Sequence, residues 1–211
     1  HDGTVAVSAY GGSPNPSGSG VLTNSASLTK DLSHSHPISF DYDLALTALV
    51  FSHSQRLDAA GRLLELYQGM PLPDPSTRAF NVAYHIEHRQ PTLEYAFQGG
   101  PLFWVAIALM RYAESTGNPS DLKRAIELLE WARTHLAHFR GGVVMGTQKP
   151  WCDLMSVENN WAYYAALRLT IQHLPEGPTK AAFIEEKRGV RRWLSRNERH
   201  RGEGDKKYYF W

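Results

Sequence analysis

The chain has 211 residues and a mass of 23.7 kDa, with 42% hydrophobic and 20% charged residues. That is enough for one domain with a real core and too apolar for disorder throughout. Its 22 Lys and Arg nearly cancel 21 Asp and Glu, which excludes a field that would gather nucleic acid or anionic membrane without specificity. A single cysteine, Cys152, excludes an intrachain disulfide framework.

Residues 1–37 are rich in Gly, Ser, Asn and Pro, as in AYGGSPNPSGSG, and read as a loop-rich N-terminal arm. His34 and His36 sit in a Ser-rich stretch with no third ligand, so no metal site is read there. No signal peptide is visible, and the chain starts at His1, so an upstream segment is expected to have been cleaved, trimmed or left out.

From Phe40 the pattern becomes helical. DYDLALTALVFSHS is apolar nearly all round, whereas RLDAAGRLLELYQ places Leu57, Ala60, Leu63, Leu64 and Tyr67 on one side at i, i+3, i+4, i+7 spacing. PLFWVAIALMRYAEST and PSDLKRAIELLEWARTHLAHF form a second pair, divided by a helix stop at Gly117-Asn118 and a restart at Pro119. VENNWAYYAALRLTIQHL and PTKAAFIEEKRGVRRWLSRN form a third, divided by PEGP. The longest apolar run, Pro101 to Met110, is too short to span a bilayer. The basic stretch from Lys187 to Lys207 reads as a solvated helix face leading into a basic, aromatic tail over 199–211, with no nucleic-acid partner.

The pairs repeat. Ala48-Leu49, Ala108-Leu109 and Ala166-Leu167 superpose at spacings of 60 and 58 residues, and Leu57, Ala60, Leu63 and Leu64 superpose on Leu122, Ala125, Leu128 and Leu129 at a constant 65. The expected fold is all-α: three helix hairpins over residues 38–198, with long loops at 69–98 and 140–156. A helix apolar all round must be enclosed, so the first member of each pair is read as inner and the one-sided second member as its outer cover. The inner helices then run parallel, and their N-termini meet at one end.

Three stretches resemble the six-hairpin glycosidase superfamily: FDYDLALTAL, GGPLFWVAIALMRYAESTGNPSDLKRAIELLEWA and SVENNWAYYAAL, within residues 40 to 195. The resemblance implies part of an (α/α)6 toroid with a sugar cleft at one end, in a secreted or periplasmic protein, and no cofactor. A toroid closes with six hairpins and three are read here. The remainder then lies in a longer chain, in further copies of this one, or is absent from an open array.

Glycoside hydrolysis needs two carboxyls across the scissile bond. Asp43 and Glu158 sit at inner-helix N-termini and are read as that pair, with Asp41, Glu94 and Asp153 as lesser candidates; capping is the competing role for acids at such positions. Trp104, Trp151, Trp161, Tyr42 and Tyr95 are read as pyranose platforms, and Asn159, Asn160 and Gln98 as amides for sugar hydroxyls. Trp131 and Trp193 are expected in the core.

In AFNVAYHIEHRQPTLEYAFQGG the H-x-E-H spacing of His85, Glu87 and His88 does not match the two-His zinc helix. Arg78, His85 and Arg89 are read as ligands for an acidic sugar, against a solvated surface. No nucleophilic triad or phosphate loop is present. Two rivals to the hydrolase remain at this level. One is a non-catalytic hairpin scaffold that self-associates or binds a protein. The other is a sugar isomerase or epimerase using His85 or His88.

Overall fold

The structure, a computed structural model, describes residues 38–74, 80–85, 90–91 and 97–198. The arm read over 1–37 and the tail over 199–211 lie outside the described residues. In chain order the elements are β1 (Ile38–Phe40), α1 (Asp41–His53), α2 (Leu57–Gln68), β2 (Ala83–His85), β3 (Gln90–Pro91), α3 (Gly99–Thr116) and α4 (Pro119–His135). Then follow β4 (His138–Phe139), β5 (Gly142–Val143), a 3-10 turn (Trp151–Asp153), α5 (Val157–His173) and α6 (Pro178–Glu198). The class is all-α, and the six helices fall into the three expected pairs.

The turns follow the sequence chemistry. α3 ends where Gly117 takes φ 73°, a left-handed conformation that costs glycine little. Asn118 then caps α4, its Oδ1 accepting from the Ser120 N–H at 3.0 Å, with Pro119 at the first helical position. At the start of α5, Ser156 Oγ accepts from the Asn159 N–H at 3.2 Å.

α1, α3 and α5 lie side by side, and α2, α4 and α6 cover them from behind. Ala48, Ala108 and Ala166 are all buried in this inner layer, so the repeated Ala marks the crowded positions where helices approach closely. α3 and α5 run parallel in register: Gly100 meets Asn159 near the N-termini, Thr170 Oγ1 donates to Met110 Sδ at 3.5 Å, and His173 pairs with Glu114 at 2.9 Å at the far end. Phe103 stacks on Tyr163 between the two helices, ring centroids 4.5 Å apart. Trp131 and Trp193 are buried, as expected.

Among the described helices only α3 is enclosed on every side. α5 keeps an exposed stripe of Glu158, Trp161, Ala165, Arg168 and Gln172, and α1 leaves Val50 64% exposed. Apolar character all round therefore overstates enclosure for the first and last inner helices, because each has an inner neighbour on one flank alone.

Two further expectations are corrected. α4 stops at His135, not at Phe139: Leu136 turns extended, and His138 and Phe139 pair with Val143 and Gly142 as a small antiparallel hairpin. The long connection before α3 also carries strands. β1, β2 and β3 form an antiparallel sheet in which Ser39 pairs with Tyr84 and Phe40 with Ala83, while an isolated bridge joins Asn81 to Phe97. This sheet holds the connection across the N-terminal end of α1.

The β4–β5 hairpin is tied to α5 by one side chain. Asn160 is fully buried; its Oδ1 accepts from the Val143 N–H at 2.9 Å, and its Nδ2 donates to Val143 O at 3.0 Å and Ser156 O at 2.9 Å. Asn160→Ala leaves buried backbone groups unpaired and is expected to lower stability by about 2–4 kcal/mol in urea unfolding, whereas Gln148→Ala, at an exposed loop position, leaves it unchanged.

Candidate functional site

The three inner-helix N-termini meet at one end, and each begins differently. α1 has Asp41 and Asp43 in its first turn and no side-chain cap. The Asp41 N–H donates to Val82 O at 3.0 Å, which joins the helix start to the sheet. Its carboxyl points inward: Oδ1 accepts from Tyr67 Oη at 2.8 Å, and the residue is buried. Burial pushes the carboxyl up to about 8 despite the opposing Tyr67 hydrogen bond. Tyr67 is held well above the usual phenol range, by burial first and then by Asp41. Asp41, read from sequence as a lesser candidate, is the first residue of α1 and a buried acid.

Tyr42 and Asp43 lie at the partly exposed side of the same turn. The Tyr42 ring meets Trp104 of α3 edge-on, centroids 5.7 Å apart and planes at 71°. Its phenol is raised by burial first, then by the charge of Glu158 and a hydrogen bond to that carboxyl, then by the charge of Asp43. Two acids from the first and last inner helices thus act on one hydroxyl. Asp43 is itself raised by burial.

Glu158 heads the exposed stripe of α5. One turn further, Trp161 is 45% exposed and meets Tyr164 edge-on at 5.7 Å and 86°. α3 lies between, with no acid in its first turn and Gln98 as an N-cap lacking a side-chain bond. The Gly99 N–H donates to Met145 O at 2.7 Å. The Asn159 amide packs so tightly over Gly100 that a methyl there would overlap it, and Asn159 Nδ2 is buried without a hydrogen-bond partner.

The predicted residues therefore divide. Asp43, Glu158, Tyr42 and Trp104 come together, with Trp161 one helical turn from Glu158. Asn159 is buried beside them, and half-buried Gln98 is at the mouth of α3. Asn160 is turned inward and its amide is consumed by Val143 and Ser156, which makes it a structural clamp and not a surface amide. Trp151 sits in the 3-10 turn beside Gly146, and Asp153 is exposed there, accepting from Cys152 Sγ at 3.7 Å. His85 is placed as a strand residue opposite Ile38 and Gln90. Arg78 and Tyr95 lie outside the described residues, as do His34, His36, Glu87, His88, Arg89 and Glu94.

Sequence reading missed Tyr164 and Gly100. Tyr164 was legible as the i+3 neighbour of Trp161; Gly100 had no signal beyond its place before an apolar helix. A shallow apolar concavity of about 510 Å³ lies on the outer layer along α4, lined by Leu72, Leu122, Ile126 and Trp131 among others. Glu127, Glu130 and His135 also line it along the outer face of α4. Among the described residues no three His, Cys, Asp or Glu side chains converge as metal ligands, and no helix is long and apolar enough to cross a membrane. No family profile, curated protein or solved structure matches the chain.

The mouth combines two carboxyls in different surroundings, a phenol between them and exposed indole. Burial raises the Asp43 carboxyl, and the exposed indole can stack on a flat ligand. The buried acid beside it has a separate consequence. Because Asp41 keeps its proton when folded up to about 8 but loses it near 3.8 when unfolded, the folded state binds more protons between those values. Stability is expected to fall as pH rises through that window and then level off. Asp41→Asn, measured by urea unfolding across the same range, is expected to remove this slope.

Proposed function

We propose that this protein is carbohydrate-active and glycoside hydrolase-like, binding a poly- or oligosaccharide at the inner-helix N-termini. The observation that carries the reading is the convergence of Asp43 and Glu158 on Tyr42, beside Trp104 and the exposed Trp161. Asp43, whose carboxyl is raised by burial, suits the proton donor to the leaving oxygen. Glu158 on the open stripe of α5 is the opposing carboxyl, acting on water or on the sugar itself. Trp104 and Trp161 offer indole surface to pyranose rings. Such a substrate is met outside the cytoplasm, in keeping with a secreted or periplasmic protein.

The toroid is part of the proposal. Among the described residues α1 and α5 end the inner layer, and further hairpins, from a longer chain or other copies, would continue it. The same open edges favour a second reading, a scaffold of hairpins that self-associates, since Val50 and Trp161 are large apolar groups left uncovered. A concentration-dependent mass in sedimentation, without sugar binding, would select it.

Glu158→Gln and Asp43→Asn are each expected to lower kcat by at least about 100-fold, scored as reducing ends released from a panel of polysaccharides, with unchanged thermal melting. Full activity in both variants would remove these two residues from the mechanism.

A further inference from the structure

We propose, on the self-associating reading above, that the exposed stripe of α5 is an interface for a second copy of this chain, whose own α5 lies antiparallel across it in a two-fold dimer.

The repeat identifies the stripe as a helix-binding face. α3 holds α5 through Gly100, Phe103, Met110 and Glu114, which meet Asn159, Tyr163, Thr170 and His173. At the 58-residue spacing that superposes Ala108 on Ala166, these four positions of α3 become Glu158, Trp161, Arg168 and Gln172. All four are exposed, as is Ala165 between them. α5 thus presents to solvent the face that α3 uses to take a neighbouring helix.

The residues on the stripe select the neighbour. Glu158, Trp161, Ala165, Arg168 and Gln172 follow one another at alternating steps of three and four residues, the spacing of a helix-helix seam. A parallel copy sets Glu158 against Glu158 and Arg168 against Arg168. In an antiparallel copy whose two-fold axis passes between Trp161 and Ala165, each Glu158 meets the partner's Arg168 and each Trp161 lies over the partner's Ala165. Opposite charges are then paired twice, and the largest side chain of the stripe falls on the smallest. Neither Glu158 nor Arg168 has an ion-pair partner among the described residues.

Trp161 supplies the anchor. It is 45% exposed, and Tyr164 meets its ring edge-on at 5.7 Å, which steadies the indole before contact. The paired positions, Glu158 to Arg168, span roughly 15 Å of helix, so the contact is small and the dimer weak and transient. In this dimer Glu158 and Trp161 belong to an interface and not to a sugar site.

The test is sedimentation equilibrium of the whole chain from micromolar to roughly millimolar protomer. The wild type is expected to pass from monomer to dimer, and to do so more weakly as salt is added. Glu158→Arg alone and Arg168→Glu alone place like charges at both pairs, and each is expected to weaken the dimer at least about tenfold. An equal mixture of the two variants, and a single chain carrying both substitutions, are expected to restore it, because every pair is again opposite in sign. Trp161→Ala is expected to weaken it at every salt concentration.

A monomer at every concentration overturns the dimer and the self-associating reading together. Association that survives both single reversals, with circular dichroism unchanged, overturns the α5 interface and leaves self-association through another edge standing. Association that tightens with added salt marks a parallel pairing and overturns the geometry. Failure of both the mixture and the double variant to restore a dimer lost in the single variants overturns the pairing of Glu158 with Arg168.

Discussion

The structure depends on the enclosure of α3. Leu102, Phe103 and every residue from Val105 to Met110 are buried, leaving this helix almost no face for water. Each large side chain of that kind contributes about 1.5–3 kcal/mol when fully buried, which offsets the entropy of ordering the helix only if all its sides are covered. α1 and α5 cover its flanks, with α2 and α4 behind. The other helices can tolerate an exposed stripe; α3 cannot.

That demand also sets the level of the helix ends. Gly100 to Asn159, Met110 to Thr170 and Glu114 to His173 are contacts between residues 59, 60 and 59 apart, so the spatial register of α3 on α5 lies within two residues of the 58-residue sequence spacing. A shift of one turn along either helix would lose the sulfur contact, the far-end ion pair and the fit of Asn159 over Gly100. Because that register is held at both ends, the first turns of α3 and α5 lie side by side, and the Tyr42–Trp104 contact sets the first turn of α1 beside them. The grouping of Tyr42, Asp43, Trp104 and Glu158 follows from packing deep in the layer.

Much of this was readable because periodicity and turn chemistry are local. Gly117-Asn118-Pro119 marked a helix stop and restart, and the one-sided apolar pattern of Leu57, Leu64 and Tyr67 marked an outer helix. What was not readable depends on partners distant in sequence. Nothing around His138 announces a strand, since its pairing needs the turn at Arg140-Gly141 and a buried amide from α5. The same holds for Asp41 and Asp43, two acids two residues apart in one first turn: only the position of Tyr67, on the next helix, makes one a buried acid and leaves the other at the mouth. Asn159 and Asn160 also look alike in sequence. The helix rotates them apart, one over Gly100 and the other onto Val143.

The Asn160 clamp has an evolutionary corollary. A carboxamide that answers both the N–H and the C=O of Val143 reproduces what a neighbouring strand would offer, so it recognises main chain and is blind to the side chain attached there. The turn it holds is also fixed from outside, since Gly141 has φ 97° and a methyl on Gly141 or Gly142 would overlap the Gly189 carbonyl or the Met155 and Trp193 side chains. Sequence can then drift at the exposed Phe139, while Gly141, Gly142 and Val143 are held to the helices packed against them.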